Sequence, residues 1–184
     1  MIRLSKCRQA TVGFVALMLA VAAAIYVAAK SVNAPPPAME HKRIEALLDM
    51  PLSDIRGAPR SLAEWRGKTL VIHFWSDGCE PCREDMPMLS ALQRQFASNN
   101  VQVIGIGIGD AKNLAESSSR LALDYPLLAA GTEAGSLMRQ LGNPTLFLPF
   151  TVVLDNKGEV LLAHAGRPAE KQLAAMLPPA KLVE

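Results

Sequence analysis

The sequence predicts an α/β domain, a sheet with helices on both faces that closes on a hairpin, preceded by one membrane-spanning helix. Three observations carry this. Apolar, β-branched runs near 68–75, 101–108 and 150–155 alternate with segments of helical character. The turn Asp155-Asn156-Lys157-Gly158 joins two short strand patterns. Residues 12–29 (VGFVALMLAVAAAIYVAA) carry no charge, and at ~1.5 Å rise per residue they approach the ~30 Å hydrocarbon thickness of a bilayer.

Arg3, Lys6 and Arg8 precede the apolar run and Lys30 closes it, so the positive-inside rule keeps residues 1–11 cytoplasmic and exports the rest. A cleaved signal peptide is the competing reading, with Val32-Asn33-Ala34 as a small-residue site. The run exceeds the ~7–15 residues usual in a signal-peptide core, which favours an uncleaved anchor in the inner membrane, with the following domain periplasmic. Residues 30–42 are polar and rich in proline, a tether that cannot continue the helix. Residues 43–184 then supply one domain's worth of chain.

Within the domain, Pro51–Gly57 reads as a short strand and turn, and Ser61-Leu62-Ala63-Glu64 has the spacing of a capping box. Lys68–Trp75 is a buried strand, 80–98 a helix kinked at Pro87, and Val101–Ile108 a second strand. A helix over 111–123, a short strand near 127–130 and a helix over 133–141 follow. Strands at 150–155 and 159–164 and a last helix over 168–177 complete the pattern. The 184 residues carry a formal net charge of +2 with scattered basic side chains, which gives nucleic acid no footprint.

The chemistry lies in Ser76-Asp77-Gly78-Cys79-Glu80-Pro81-Cys82-Arg83, two cysteines three positions apart where a strand gives way to a helix. The first helical turn aims unsatisfied N–H groups and the positive end of the helix dipole at Cys79, favouring its thiolate, the nucleophilic form. Cys82, one turn on, can close a ring with Cys79 and release whatever is attached to it. Pro81 suits the first turn, where its missing N–H costs nothing. Glu80 opposes thiolate formation and Arg83 favours it. Trp75 either shields the site or packs in the core.

Other uses of the pair have less support. A zinc site needs more ligands than the chain offers, since His41, His73 and His164 stand far apart and there is no second C-x-x-C; no metal is expected. A structural disulfide over so short a loop stabilises little. A peroxidatic Cys79 with Ser76 as hydroxyl donor is a minor alternative. A copper chaperone using both sulfurs as soft ligands is the non-enzymatic one, although Met86 and Met88 face different sides of a helix and no His-rich tract lies nearby. Cys7 reads as an incidental thiol ahead of the anchor.

The stretch FWSDGCEPCREDMP, followed by LPFTVVLDNKGEVL, resembles the TlpA/ResA-type membrane-anchored thiol-disulfide oxidoreductases over roughly residues 47–178. The resemblance implies a thioredoxin-like fold with a central mixed sheet, and no cofactor beyond a redox-active Cys79–Cys82 disulfide. It implies a Cys79 nucleophile, a resolving Cys82, and a cis-proline at Pro149, with Pro144 the poorer fit. It also implies that the backbone at Leu148 pairs with substrate as an added strand, while Phe150, where the family often has threonine, leaves substrate preference open. His73 occupies the place of a buried acid six residues before the first cysteine, as a proton relay or as a core histidine. Asp110 resembles an acid near the dithiol, as base or as helix N-cap. The function implied is reduction of disulfides in exported proteins, as in cytochrome c or copper-site maturation, with electrons from a membrane dithiol partner. Oxidase or isomerase activity is the alternative.

Overall fold

In a computed structural model the described residues are 41–179 together with the single residue Met18. Met18 apart, the predicted anchor at 12–29, the cytoplasmic segment, Cys7 and nearly all of the tether lie outside them. No helix among the described residues is long and apolar enough to cross a membrane.

The domain opens with α1 (His41–Leu48), which begins two residues inside the stretch read as tether. The strands are β1 (Leu52–Asp54), β2 (Pro59–Arg60), β3 (Thr69–Trp75), β4 (Val101–Gly107), β5 (Leu127–Ala129), β6 (Phe150–Leu154) and β7 (Val160–Ala165). The remaining helices are α2 (Glu80–Phe96), α3 (Ala111–Ser118), α4 (Ala134–Gln140) and α5 (Glu170–Ala175). Ser61 caps a short 3-10 turn over Leu62–Trp65, with both hydrogen bonds of the capping box in place.

The seven strands form one mixed sheet in the order β2-β1-β5-β4-β3-β6-β7. The pairs β3–β4 and β4–β5 are parallel, as crossovers through α2 and α3 require. The outer pairs β1–β2, β1–β5, β3–β6 and β6–β7 are antiparallel. The β6–β7 hairpin turns on Asp155, whose Oδ1 accepts from the N–H groups of Lys157 and Glu159, both at 2.8 Å. Gly158 sits at φ +85°, against Ile44 of α1, where a side chain would add a clash to the strain.

Strand alternation divides the core between the two sheet faces. Leu70, Ile72 and Phe74 of β3 point toward Ile44, Leu47 and Leu48 of α1 and Leu137 and Met138 of α4. Val71 and Trp75 point toward Cys82, Met86, Leu89, Leu92 and Phe96 of α2 and Leu173 of α5. All seven β3 residues are buried, the continuous apolar pattern of a central strand. The dithiol therefore lies at the C-terminal end of the most protected strand.

Two elements differ from expectation for physical reasons. The helix expected over 111–123 stops at Ser118 because Ser117, Ser118 and Ser119 turn their hydroxyls onto the carbonyls of Leu114 and Glu116. Such back-bonding competes with helical hydrogen bonds. The helix expected over 80–98 ends at Phe96 and tightens into a 3-10 turn closed by Asn100 at φ +61°. It runs unbroken past Pro87.

Candidate active site

Cys79 is the N-cap of α2, and its Sγ accepts from the Cys82 N–H at 3.3 Å. The Cys79 N–H donates to the Ser76 carbonyl at 3.1 Å, so the strand-to-helix junction is stitched by its own backbone. Cys79 and Cys82 form a disulfide with Cα atoms 5.3 Å apart. Their environments differ: Cys79 is half-buried, whereas Cys82 is fully buried beneath the helix. Ser76 contributes its backbone carbonyl, and none of the described hydrogen bonds joins its hydroxyl to Cys79.

The charges around the pair neutralise one another. Arg83 forms an ion pair with Glu80 and donates to the Asp77 carbonyl at 2.8 Å. Pro81 lies in the first turn of α2 and is exposed. Trp75 is fully buried and packs in the same cluster as Cys82, with its indole N–H unpaired among the described residues. Met86 is buried in that cluster and Met88 packs at its edge.

Two buried titratable groups lie on the elements that carry the dithiol, His73 on β3 and Asp85 on α2. His73 is fully buried on β3, its Nδ1 3.1 Å from the Thr151 hydroxyl across the β3–β6 register. Burial pushes its pKa down to about 4, an effect partly opposed by the adjacent backbone of Cys82. Its Nε2 has no hydrogen-bond partner among the described residues. The ring is therefore neutral at pH 7.

Asp85, one helical turn beyond Cys82, went unremarked in the sequence. It is 3% exposed; its Oδ1 accepts from Arg167 Nε at 2.9 Å, while Oδ2 has no partner among the described residues. Burial raises its pKa, and Arg167 only partly counters this. Arg167 is also held by Glu84 at 2.7 Å. A Glu-Asp pair on a helix ordinarily reads as a solvated face. The available signal was angular phase, because Cys82, Asp85, Met86 and Leu89 fall on one buried stripe.

Asp110, read as base or as helix N-cap, is the N-cap of α3. Its Oδ1 accepts from the N–H groups of Lys112 and Asn113 at 2.9 and 3.3 Å, and the residue is exposed. The Leu148–Pro149 peptide bond is cis. Leu148 packs, like Cys79, against the cluster that contains Cys82. Its backbone enters none of the described hydrogen bonds, although that of Pro149 accepts from Gly166 at 2.7 Å. Phe150 is buried and meets Phe74 with ring centroids 5.6 Å apart.

The model of the AhpC/TSA family matches residues 44–163, well over half of the chain. The chain belongs to the AhpC/TSA family. Among relatives by sequence, the thiol-disulfide oxidoreductase ResA of Geobacillus thermodenitrificans is 27% identical over 113 residues, 61% of this chain and 63% of that protein. The thioredoxin-like protein YneN of Bacillus subtilis is 26% identical over 133 residues, 70% of this chain and 75% of that one. The chain thus spans slightly under two thirds of the ResA relative's length. A crystal structure of a putative thiol:disulfide interchange protein DsbE from Chlorobium tepidum superposes with a TM-score of 0.60 at 20% identity, covering 79% of this chain and 97% of that one. The fold of this AhpC/TSA member is accordingly thioredoxin-like, a mixed sheet flanked by helices. The family match at 44–163 includes β3, α2 and the Leu148–Pro149 bond.

Proposed function

We propose that the chain is a protein thiol-disulfide oxidoreductase that reduces disulfides in exported proteins. The observation that carries this is the asymmetry of the pair: an accessible Cys79 at a helix N-cap and a buried Cys82 one turn behind it. The names of the relatives, a thiol-disulfide oxidoreductase and a thioredoxin-like protein, support the dithiol chemistry, and the reducing direction rests on the resemblance to TlpA/ResA-type proteins.

In the reduced protein the Cys79 thiolate attacks one sulfur of a substrate disulfide. A new S–S bond forms to Cys79 and the other substrate sulfur leaves as a thiolate that takes up a proton. Cys82 then gives up its proton and attacks Cys79 Sγ, so the second substrate sulfur leaves as a thiol and the protein is left with the Cys79–Cys82 disulfide. Two electrons pass from the Cys79/Cys82 dithiol to the substrate. The protein disulfide must be reduced again, which calls for a dithiol donor in or at the membrane.

Asp85 is the side chain we assign to accept the Cys82 proton, being buried on the same helical face with one free oxygen and a raised pKa. His73, whose pKa burial pushes down to about 4, is a weak base, whereas burial makes the Asp85 carboxylate more basic than usual, which favours Asp85 as the acceptor. The open backbone of Leu148 beside the cis bond is where an extended substrate adds as a strand. The apolar, base-flanked run at 12–29 supports tethering the domain on the outer side of the cytoplasmic membrane.

The test is substrate trapping. With a disulfide-bearing peptide, Cys79→Ser should lose all reduction, and Cys82→Ser should accumulate a covalent mixed disulfide through Cys79 that reductant releases. Turnover by Cys79→Ser, or no trapped species with Cys82→Ser, would overturn the assignment.

A further inference from the structure

We propose that Arg167 is a positioning residue of the exchange reaction, reaching from the segment beside the cis-proline to hold the Asp85 carboxylate by one oxygen and leave the other for the Cys82 proton. This deepens the function proposed above and rests on its assignment of Asp85. The guanidinium makes two contacts on α2. Its Nε donates to Asp85 Oδ1 at 2.9 Å and its Nη1 to Glu84 Oε2 at 2.7 Å, while Asp85 Oδ2 has no partner among the described residues. The Glu84 contact is an exposed ion pair, which adds little to stability. A carboxylate buried with one oxygen unpaired costs stability, and an apolar side chain would fill that place better. Folding alone therefore does not account for the pair.

The arginine is placed by the end of β7. There the Gly166 N–H donates to the Pro149 carbonyl at 2.7 Å, and Gly166 turns the chain at φ +99°. His164 Nε2 lies 3.2 Å from the Arg167 carbonyl, and the buried Pro168 follows. Two consecutive residues thus join the cis bond, through a backbone hydrogen bond, to the helix that carries Cys79 and Cys82, through a side chain.

The contact decides which form of Asp85 is present. Burial favours the neutral carboxyl, which cannot take a proton. Arg167 favours the carboxylate, by its hydrogen bond first and its charge second, and Glu84 opposes this. On the other elements packed against α2, His73 of β3 is neutral near pH 7 and Tyr125 keeps its proton. Glu170 and Lys171 of α5 are exposed and screened, and Asp124 pairs with Arg94 beside Ser90. Losing Arg167 therefore raises the pH at which Asp85 becomes a base.

The experiment uses the reduced full-length chain and a disulfide-bearing peptide, and follows release of the second peptide thiol by stopped flow across the acidic limb of the rate profile. With Arg167→Gln the limb should move up by about one pH unit, about a tenfold loss of rate at a fixed pH on it, with attack by Cys79 within about twofold of wild type. Arg167→Lys, which keeps the charge and loses the fork, should fall between the two. In an Asp85→Asn background, Arg167→Gln should change the rate less than about twofold. A limb that stays in place in Arg167→Gln, a loss of rate without a shift, or a full effect in the Asp85→Asn background would overturn the role. If Arg167→Gln does not fold, Arg167→Lys carries the test, and a limb unmoved in it would overturn the role as well. An acidic limb that persists in Asp85→Asn alone would remove the proton acceptor named above and the role of Arg167 with it. No reaction of the wild-type chain with the peptide would remove the proposed activity itself.

Discussion

Burial separates the two sulfurs, with Cys79 reachable from solvent and Cys82 closed off by the helix it belongs to. The proton that Cys82 must lose therefore has to leave through the protein, and in the proposed mechanism Asp85, buried one helical turn on with an unpartnered oxygen, takes it. Because burial raises the Asp85 pKa, its basic form appears only above the ordinary carboxylate range. Asp85→Asn should slow release of the mixed disulfide about 100-fold near neutral pH and remove the acidic limb of the rate profile, measured by stopped-flow resolution. Retention of that limb would exclude Asp85. His73 makes a separate statement about stability. Its folded pKa of about 4 lies below the unfolded value near 6.5, so between those values the unfolded chain binds more protons. Stability from this residue is present above about pH 6.5 and is lost as pH falls toward 4, by about 3 kcal/mol in all. Guanidinium unfolding of the wild-type protein and His73→Asn across pH 4–7 should show this slope only in the wild type. Asp85 is common to both proteins and cancels in the comparison.

At the scale of elements, the loop before the cis bond is held by one buried amide, which makes it a point of vulnerability. Asn143→Ala should destabilise the domain by about 2 kcal/mol, because the Phe147 N–H and carbonyl lose their partner together. Thermal unfolding checks this, and a change within about 0.5 kcal/mol would contradict it. The elements around the site were legible to different degrees. β3 and the start of α2 were plain in the sequence, since an apolar run, a glycine and an N-terminal proline leave little choice. The hairpin at Asp155–Gly158 was equally plain from its turn chemistry. α1 was hidden by the prolines just ahead of it, and its apolar Ile44, Leu47 and Leu48 acquire meaning only once a sheet face exists to receive them. The early end of α3 was written in three consecutive serines, whose propensity alone is mild and whose back-bonding decides.

For the whole molecule, the alternation of strands and helices gave the class of fold, but the sheet order did not follow from it. β1 and β2 join the edge beside β5 through contacts far apart in sequence, which no local pattern encodes. The same limit explains the acids. Asp110 was prominent because it ends a strand, yet that position spends its carboxylate on α3, whereas Asp85 was inconspicuous until tertiary packing closed over it. What the assembled fold offers is an accessible cysteine, a buried partner and a buried acid on one helix at the end of the sheet, a combination suited to thiol-disulfide exchange. The equilibrium reduction potential of Cys79/Cys82, poised against dithiothreitol or glutathione buffers, tests this most directly. A value near or below about −270 mV is the result expected of a reductase, and a value near −120 mV would contradict it and make the protein a disulfide donor.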